Sequence, residues 1–258
     1  MTTRHEPQLV SPELVALTRA LGREERDLAI LAEGNTSERL SDGRLVVKAS
    51  GSRMLDVTDQ DFVTVEIGPL VDLIADPAST QEDLTAALDV GEVAGRRVRG
   101  SIETLIHVAV QAVWPSAFIG HTHPTAVVGL LASIHAETAF ENAAYSDEAV
   151  VIGRPLYVPY AQPGIELGKL FYRRLTEHAS AEGTLPRLIL LGNHGIVATA
   201  DTPAGVEAVS DMAVKAAQVR AIAYSVGGLQ PLTPDAVAKF FARDDISERQ
   251  ANIAGGKL

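Results

Sequence analysis

The segment 187–199 constrains most narrowly how this chain can fold. Residues 187–191 and 196–199 are short apolar runs, separated only by Gly192-Asn193-His194-Gly195. So short a connection joins antiparallel neighbours, because a parallel pair needs a crossover of a dozen or more residues. The pattern recurs. Residues 37–40 and 44–48 flank Asp42-Gly43, a strong hairpin signal, and 62–67 alternates like a further strand. Strands that follow one another without intervening helices predict a mixed or mainly antiparallel sheet covered by helices, rather than a doubly wound parallel one.

Helical patterns surround these strands. Residues 11–33 read as one helix, capped by Ser11, with Pro12 in its first turn and Gly34 as its stop. Residues 81–95 and 101–113 read as two more, the second capped by Ser101. A strand over 116–121 leads into a helix over 124–133. Residues 134–160 predict a short helix and then strands near 149–152 and 156–160. Three helices complete the pattern, at 163–179, 203–225 and about 233–241, ahead of a polar end expected to fray. No repeat, low-complexity tract or linker interrupts the chain before residue 230. The expectation is one α/β domain over 1–230, with 231–258 as a C-terminal helix and polar tail of the same domain.

A chain of 258 residues buries about three-quarters of its unfolded surface and needs no disulfide or metal to fold. It has no cysteine, which excludes thiolate metal ligands and thiol nucleophiles. Twenty-two basic residues against 33 acidic ones leave a net charge of −11, which argues against nucleic acid or an anionic membrane as a partner. Residues 1–10 lack the apolar core of a secretion signal, and no run approaches the ~18 apolar residues of a membrane span. A cytoplasmic location is the expectation. Neither G-x-G-x-x-G nor G-x-x-x-x-G-K-[ST] is present, so neither usual nucleotide-binding loop is expected.

The sharpest chemical feature is His121-Thr122-His123. Residues i and i+2 of a strand share a face, so two imidazoles would converge on one point, as a metal site requires. Taken alone, the same pattern also describes two satisfied histidines at a strand end. Asn193-His194-Gly195 follows the apolar run 188–191 and sets a third histidine where sheet proteins build sites. Three histidines and one open position suit a catalytic divalent metal. Glu103 stands near the start of the helix at 101–113, where the helix dipole alone would favour a carboxylate. His107 shares its helical face and is a further ligand candidate, expected instead to pack or hydrogen-bond. The small-residue loops Gly34-Asn35-Thr36-Ser37 and Ala49-Ser50-Gly51-Ser52 expose amides and hydroxyls that can cradle an oxyanion, or are plain turns.

In this order, Gly34-Asn35-Thr36-Ser37, Ala49-Ser50-Gly51, Ser101-x-Glu103, His121-Thr122-His123-Pro124 and Asn193-His194-Gly195 resemble the class II aldolase/adducin family over about residues 10–228. Residues 46–51, 101–107 and 158–164 look most like the aldolase half of bifunctional rhamnulose-1-phosphate aldolase/dehydrogenases. The resemblance implies a single-domain α/β/α sandwich with a central, mainly antiparallel sheet, and a homotetramer with sites between subunits. It implies that His121, His123 and His194 hold Zn2+, or another divalent ion such as Mn2+ or Co2+. Glu103 would be the acid/base, and Asn35, Thr36, Ser50, Gly51 and Ser101 would bind the substrate, a small phosphorylated sugar. Where many fuculose-phosphate aldolases carry a second serine before the glutamate, this chain has Ile102. The family's catalytic tyrosine has no clear counterpart, and Tyr145 and Tyr160 are its candidates.

The reaction so implied is cleavage or formation of a carbon–carbon bond in a ketose 1-phosphate. Dihydroxyacetone phosphate and an aldehyde result, through a metal-stabilised enediolate. The same logic serves a sugar-phosphate 4-epimerase or a sugar-acid-phosphate decarboxylase. An adducin-like interaction module would keep the fold and lose the metal triad, whereas all three histidines and Glu103 are present here. A cupin also uses His-x-His and a later histidine, but its glutamate follows the pair and its chain is nearly all strand.

Overall fold

The computed structural model describes residues 2–254. Among them ten strands form: β1 (Thr3–Arg4), β2 (Asn35–Arg39), β3 (Leu45–Lys48), β4 (Phe62–Val65), β5 (Asp89–Val93), β6 (Arg96–Arg99), β7 (Phe118–Thr122), β8 (Leu156–Val158), β9 (Leu188–Leu191) and β10 (Gly195–Ala200). Eight of them make one sheet in the order β1-β4-β3-β2-β7-β10-β9-β8, and β5 and β6 form a separate hairpin. Every pair in the large sheet is antiparallel except β8 with β9. The mainly antiparallel α/β sheet expected from the sequence is therefore present.

Strand alternation assigns each side chain to one of two helical layers. Ile119 of β7, Val197 of β10, and Ile189 and Leu191 of β9 face one layer. That layer contains α2 (Ile67–Ala75), α3 (Gln81–Leu88), α4 (Thr104–Val113) and α7 (Ile165–Glu182). The intervening Phe118, Ile196, Ala198, Leu188 and Leu190 face the other. It is built from α1 (Pro12–Leu21), α5 (Thr125–Leu131), α6 (Ser146–Val151) and α8 (Pro203–Ser225). After α9 (Pro234–Phe241), α10 (Asp244–Ala254) inserts Ile246 into this second core. The end expected to fray is helical through Ala254.

Several expectations need correction. The helix expected over 11–33 stops at Leu21, although Ser11 caps it through Leu14 N as its sequence predicts. Gly22 is its C-cap, and a Cβ there would lie 2.4 Å from Leu55 N, a contact that admits no side chain. The following chain, 27–34, is an irregular loop, and Leu28 O accepts the His123 N–H at 2.8 Å. Residues 89–93 leave the expected 81–95 helix and form a hairpin, whose turn places Ala94 and Gly95 at positive φ. α2 follows β4 directly, an element that the sequence pattern does not announce. The strand expected near 149–152 is α6 instead, whose Glu148 is buried against Arg220 at 2.5 Å. Short apolar runs do not distinguish the two periods.

Candidate metal centre

The middle of the large sheet assembles the site. His121 is the fourth residue of β7, pairs with Asn35 of β2 on one side and faces Val197 of β10 on the other. His123 follows the strand end. His194 sits in the β9–β10 turn, where Asn193 adopts a left-handed φ of 52°. Gly195 lets that turn close: a Cβ there would meet Thr122 O at 2.4 Å and the His123 ring at 2.6 Å. Glu103 occupies the N-cap position of α4 with its carboxylate turned to the site, and the Ser101 hydroxyl accepts its backbone N–H at 3.3 Å.

The three imidazoles form a nearly equilateral triangle, with ring centroids 4.8, 4.9 and 5.0 Å apart. One ligand atom from each of Glu103, His121, His123 and His194 lies within 4.8 Å of all the others. Glu103 Oε1 is 2.8 Å from His194 Nε2, and Oε2 is 3.2 Å from His121 Nε2. His123 Nε2 and His121 Nε2 are 3.0 Å apart. His121 Nδ1 donates to Ile196 O at 2.8 Å, which aims its Nε2 at the other groups. Glu33 Oε2 lies 3.7 Å from His123 Nδ1.

The donor set fits a divalent cation. Imidazole nitrogens and a carboxylate oxygen converge on one region, and the Nδ1 bond to Ile196 O orients His121 to ligate through Nε2. Without an ion, charge ties the same groups together. Burial opposes ionisation of Glu103, but the His121 and His194 rings hold its carboxyl far below the usual range. Burial likewise opposes a charged His121, and the Glu103 carboxylate overcomes it and raises the ring. His123 is pushed down to about 3 by burial and by the neighbouring His121.

Around this centre the substrate-binding candidates divide. Asn35 is buried, and its Nδ2 donates to Glu103 Oε2 at 3.1 Å and to Ser101 Oγ at 3.4 Å. Its Oδ1 meets His107 Nε2, and His107 Nδ1 lies 2.7 Å from Ser37 Oγ. The loop bearing Ser50 and Gly51 is tied to this corner by a bridge between Ala49 and Gly100, and Gly51 borders open space. Thr36 is a correction. It points to the opposite face of β2 from Asn35 and Ser37, fully buried, with its hydroxyl bonded to Thr18 of α1. The tyrosine hydroxyls are committed elsewhere: Tyr145 donates to Met212 Sδ at 3.0 Å and Tyr160 to Gln162 Oε1 at 2.7 Å. Sequence reasoning passes over Lys48, which is 2% exposed at the end of β3, with Nζ donating to Ser52 O at 2.6 Å. A charged residue closing the apolar run Leu45-Val46-Val47 is its only signal. A cleft of about 410 Å³ opens beside His123 and His194, lined also by Ala29, Ile30, Glu33 and Val128.

Comparison with known proteins agrees with this architecture. In the solved structure of YgbL from Klebsiella pneumoniae, described as a candidate aldolase, epimerase or decarboxylase, 99% of the chain superposes on 93% of this one. The TM-score is 0.63 at 21% identity. L-fuculose-1-phosphate aldolase from Thermus thermophilus superposes over 98% of its chain and 84% of this one, with a TM-score of 0.57 at 18% identity. YuxG of Bacillus subtilis, described as an uncharacterized oxidoreductase, is 27% identical over 198 residues, 74% of this chain. The chain spans only 26% of that relative's length. Residues 12–221 match the family model described as Class II Aldolase and Adducin N-terminal domain, and the chain belongs to that family.

Proposed function

We propose that this protein is a divalent-metal-dependent aldehyde-lyase. It cleaves or forms a carbon–carbon bond in a ketose 1-phosphate, with dihydroxyacetone phosphate and an aldehyde as the fragments. The observation that carries the reading is the placement of Glu103. One carboxylate spans His121 and His194, and it also borders the Asn35–Ser101 corner.

His121, His123 and His194 would hold the ion, for which zinc is the first choice by donor type and Mn2+ or Co2+ the alternatives. A divalent ion bound there supplies Lewis-acid stabilisation of the negative charge that develops on oxygen beside the reacting carbon. The chain's own groups do the rest. Glu103 Oε1 and Oε2 accept the proton from the carbon next to the carbonyl in the condensation direction and return it in cleavage. Ser101 Oγ and the amides of the Ser50–Gly51 loop receive the phosphate. Ile102 supplies no hydroxyl there, so fewer donors serve the phosphate than with a second serine. The leaving oxygen would be served by Tyr145 or Tyr160, whose hydroxyls are bonded to Met212 and Gln162.

Purified protein loaded with zinc, assayed on a panel of ketose 1-phosphates, should release dihydroxyacetone phosphate and aldehyde. Carbon dioxide release or pentulose-phosphate interconversion instead would establish the decarboxylase or epimerase reading. Absence of metal after zinc addition would establish the adducin-like module. Glu103→Gln should lower kcat by about 10²–10⁴-fold while the ion is retained, and His121→Ala should lose both ion and turnover. The resemblance also implies a cytoplasmic homotetramer, and a sedimentation mass of a single chain would reject the assembly.

A further inference from the structure

We propose that Ser37, His107 and Asn35 form a directed hydrogen-bond relay that fixes the Glu103 carboxylate, with His107 as the positioning residue. The proposal rests on the reading of Glu103 as the proton-transfer group. Its direction follows backwards from the carboxylate. An ionised Glu103 Oε2 only accepts, so the Asn35 atom 3.1 Å away is the amide nitrogen. Asn35 Oδ1 therefore faces His107 and needs a donor, so His107 carries its proton on Nε2. His107 Nδ1 is then a lone pair, and the Ser37 hydroxyl, 2.7 Å away, donates to it. The reverse arrangement would flip Asn35 and set its oxygen against the carboxylate, two acceptors face to face.

The fold supplies each link. Asn35 and Ser37 are two residues apart on β2 and share a face, and His107 is one helical turn beyond Glu103 on α4. His107 is fully buried. Burial holds its ring neutral, with its pKa pushed down to about 3, so one nitrogen donates and the other accepts. The second Asn35 N–H points to Ser101 Oγ, so the same amide orients the group that borders the loop at Ser50–Gly51. His107 touches none of the triangle histidines within hydrogen-bond distance, and its hydrogen-bond path to Glu103 runs through Asn35.

The tautomer is tested first, on the wild-type full chain labelled with ¹⁵N-histidine and loaded with zinc. Imidazole nitrogen spectra should show His107 protonated at Nε2, and a proton on Nδ1 overturns the relay whatever the activity. In the zinc-loaded protein, His107→Leu should lower kcat about 10–100-fold. KM should stay within about threefold and zinc stoichiometry should be unchanged. His107→Gln, which keeps an N–H toward Asn35, should recover most of the loss. Wild-type kcat in His107→Leu overturns the proposal, as does a loss shared equally by His107→Gln or accompanied by loss of zinc. Failure of the Glu103 reading is separately visible, as full activity in Glu103→Gln on the same substrate.

Discussion

At the residue scale, Lys48 shows how closely burial and charge are balanced beside the site. Its ammonium is almost inaccessible, and Nζ has two carbonyl partners, Ser52 O and Ala49 O. Burial pushes its pKa down to about 8, against the attraction of Asp61 and Glu103. In the unfolded chain it titrates near 10.5. Between these values the unfolded chain keeps a proton that the folded chain has released, so stability rises with pH across that window. The full effect is at most about 3 kcal/mol. Lys48→Met should remove this rise, and denaturant unfolding at pH 8, 9 and 10 measures it. Parallel stability curves for variant and wild type would show that Lys48 keeps its ordinary pKa when folded.

At the element scale, the β9–β10 turn is the joint on which the third histidine depends. Gly195→Ala drives a methyl into Thr122 O and the His123 ring. The strain should destabilise the protein by about 1–3 kcal/mol and weaken metal retention, read by thermal melting and by metal content after gel filtration. Unchanged metal retention would mean that the turn relaxes without moving His194. This element was legible in the sequence, because two apolar runs around four small or polar residues leave few alternatives to a tight antiparallel pair. The His-x-His pair was legible for the same reason, through the two-residue strand repeat. Glu103 stood out in the sequence as a candidate but was singled out as the acid/base by the family resemblance, since a helix start also explains a carboxylate. Thr36 was misplaced because β2 begins at Asn35, which sets positions 35 and 37 on the α4 side and 36 on the α1 side. The loop 27–34 was hidden because Leu28 and Leu31 continue the apolar stripe of α1, and the close approach of the Gly22 C-cap to Leu55 joins distant parts of the chain. The Ser37–His107 bond spans 70 residues, and no local pattern announces it.

At the scale of the whole molecule, a bound ion would tie the sheet centre to α4. A cation that binds only the folded chain adds about 4 kcal/mol at a thousandfold excess over its Kd. Removing it with a chelator should therefore lower the melting temperature by about 8–16 °C for a chain near this size. An identical melt with chelator and with zinc would show that the imidazole triangle holds no ion. No helix among the described residues is long and apolar enough to cross a membrane, and both edges of the large sheet are very short strands, β1 and β8. Short edges offer little backbone for unwanted strand addition.

The central strands β2, β7 and β10 lie side by side, yet roughly eighty residues separate each from the next along the chain. Pairings of such long range form late and slowly. A nascent polypeptide that has not yet emerged past residue 200 has two imidazoles and the carboxylate, but no third strand to bring His194 to them. If the triangle holds an ion, its capture would signal completed assembly: partial or nicked chains would hold the cation weakly, and tight retention would certify a finished sheet.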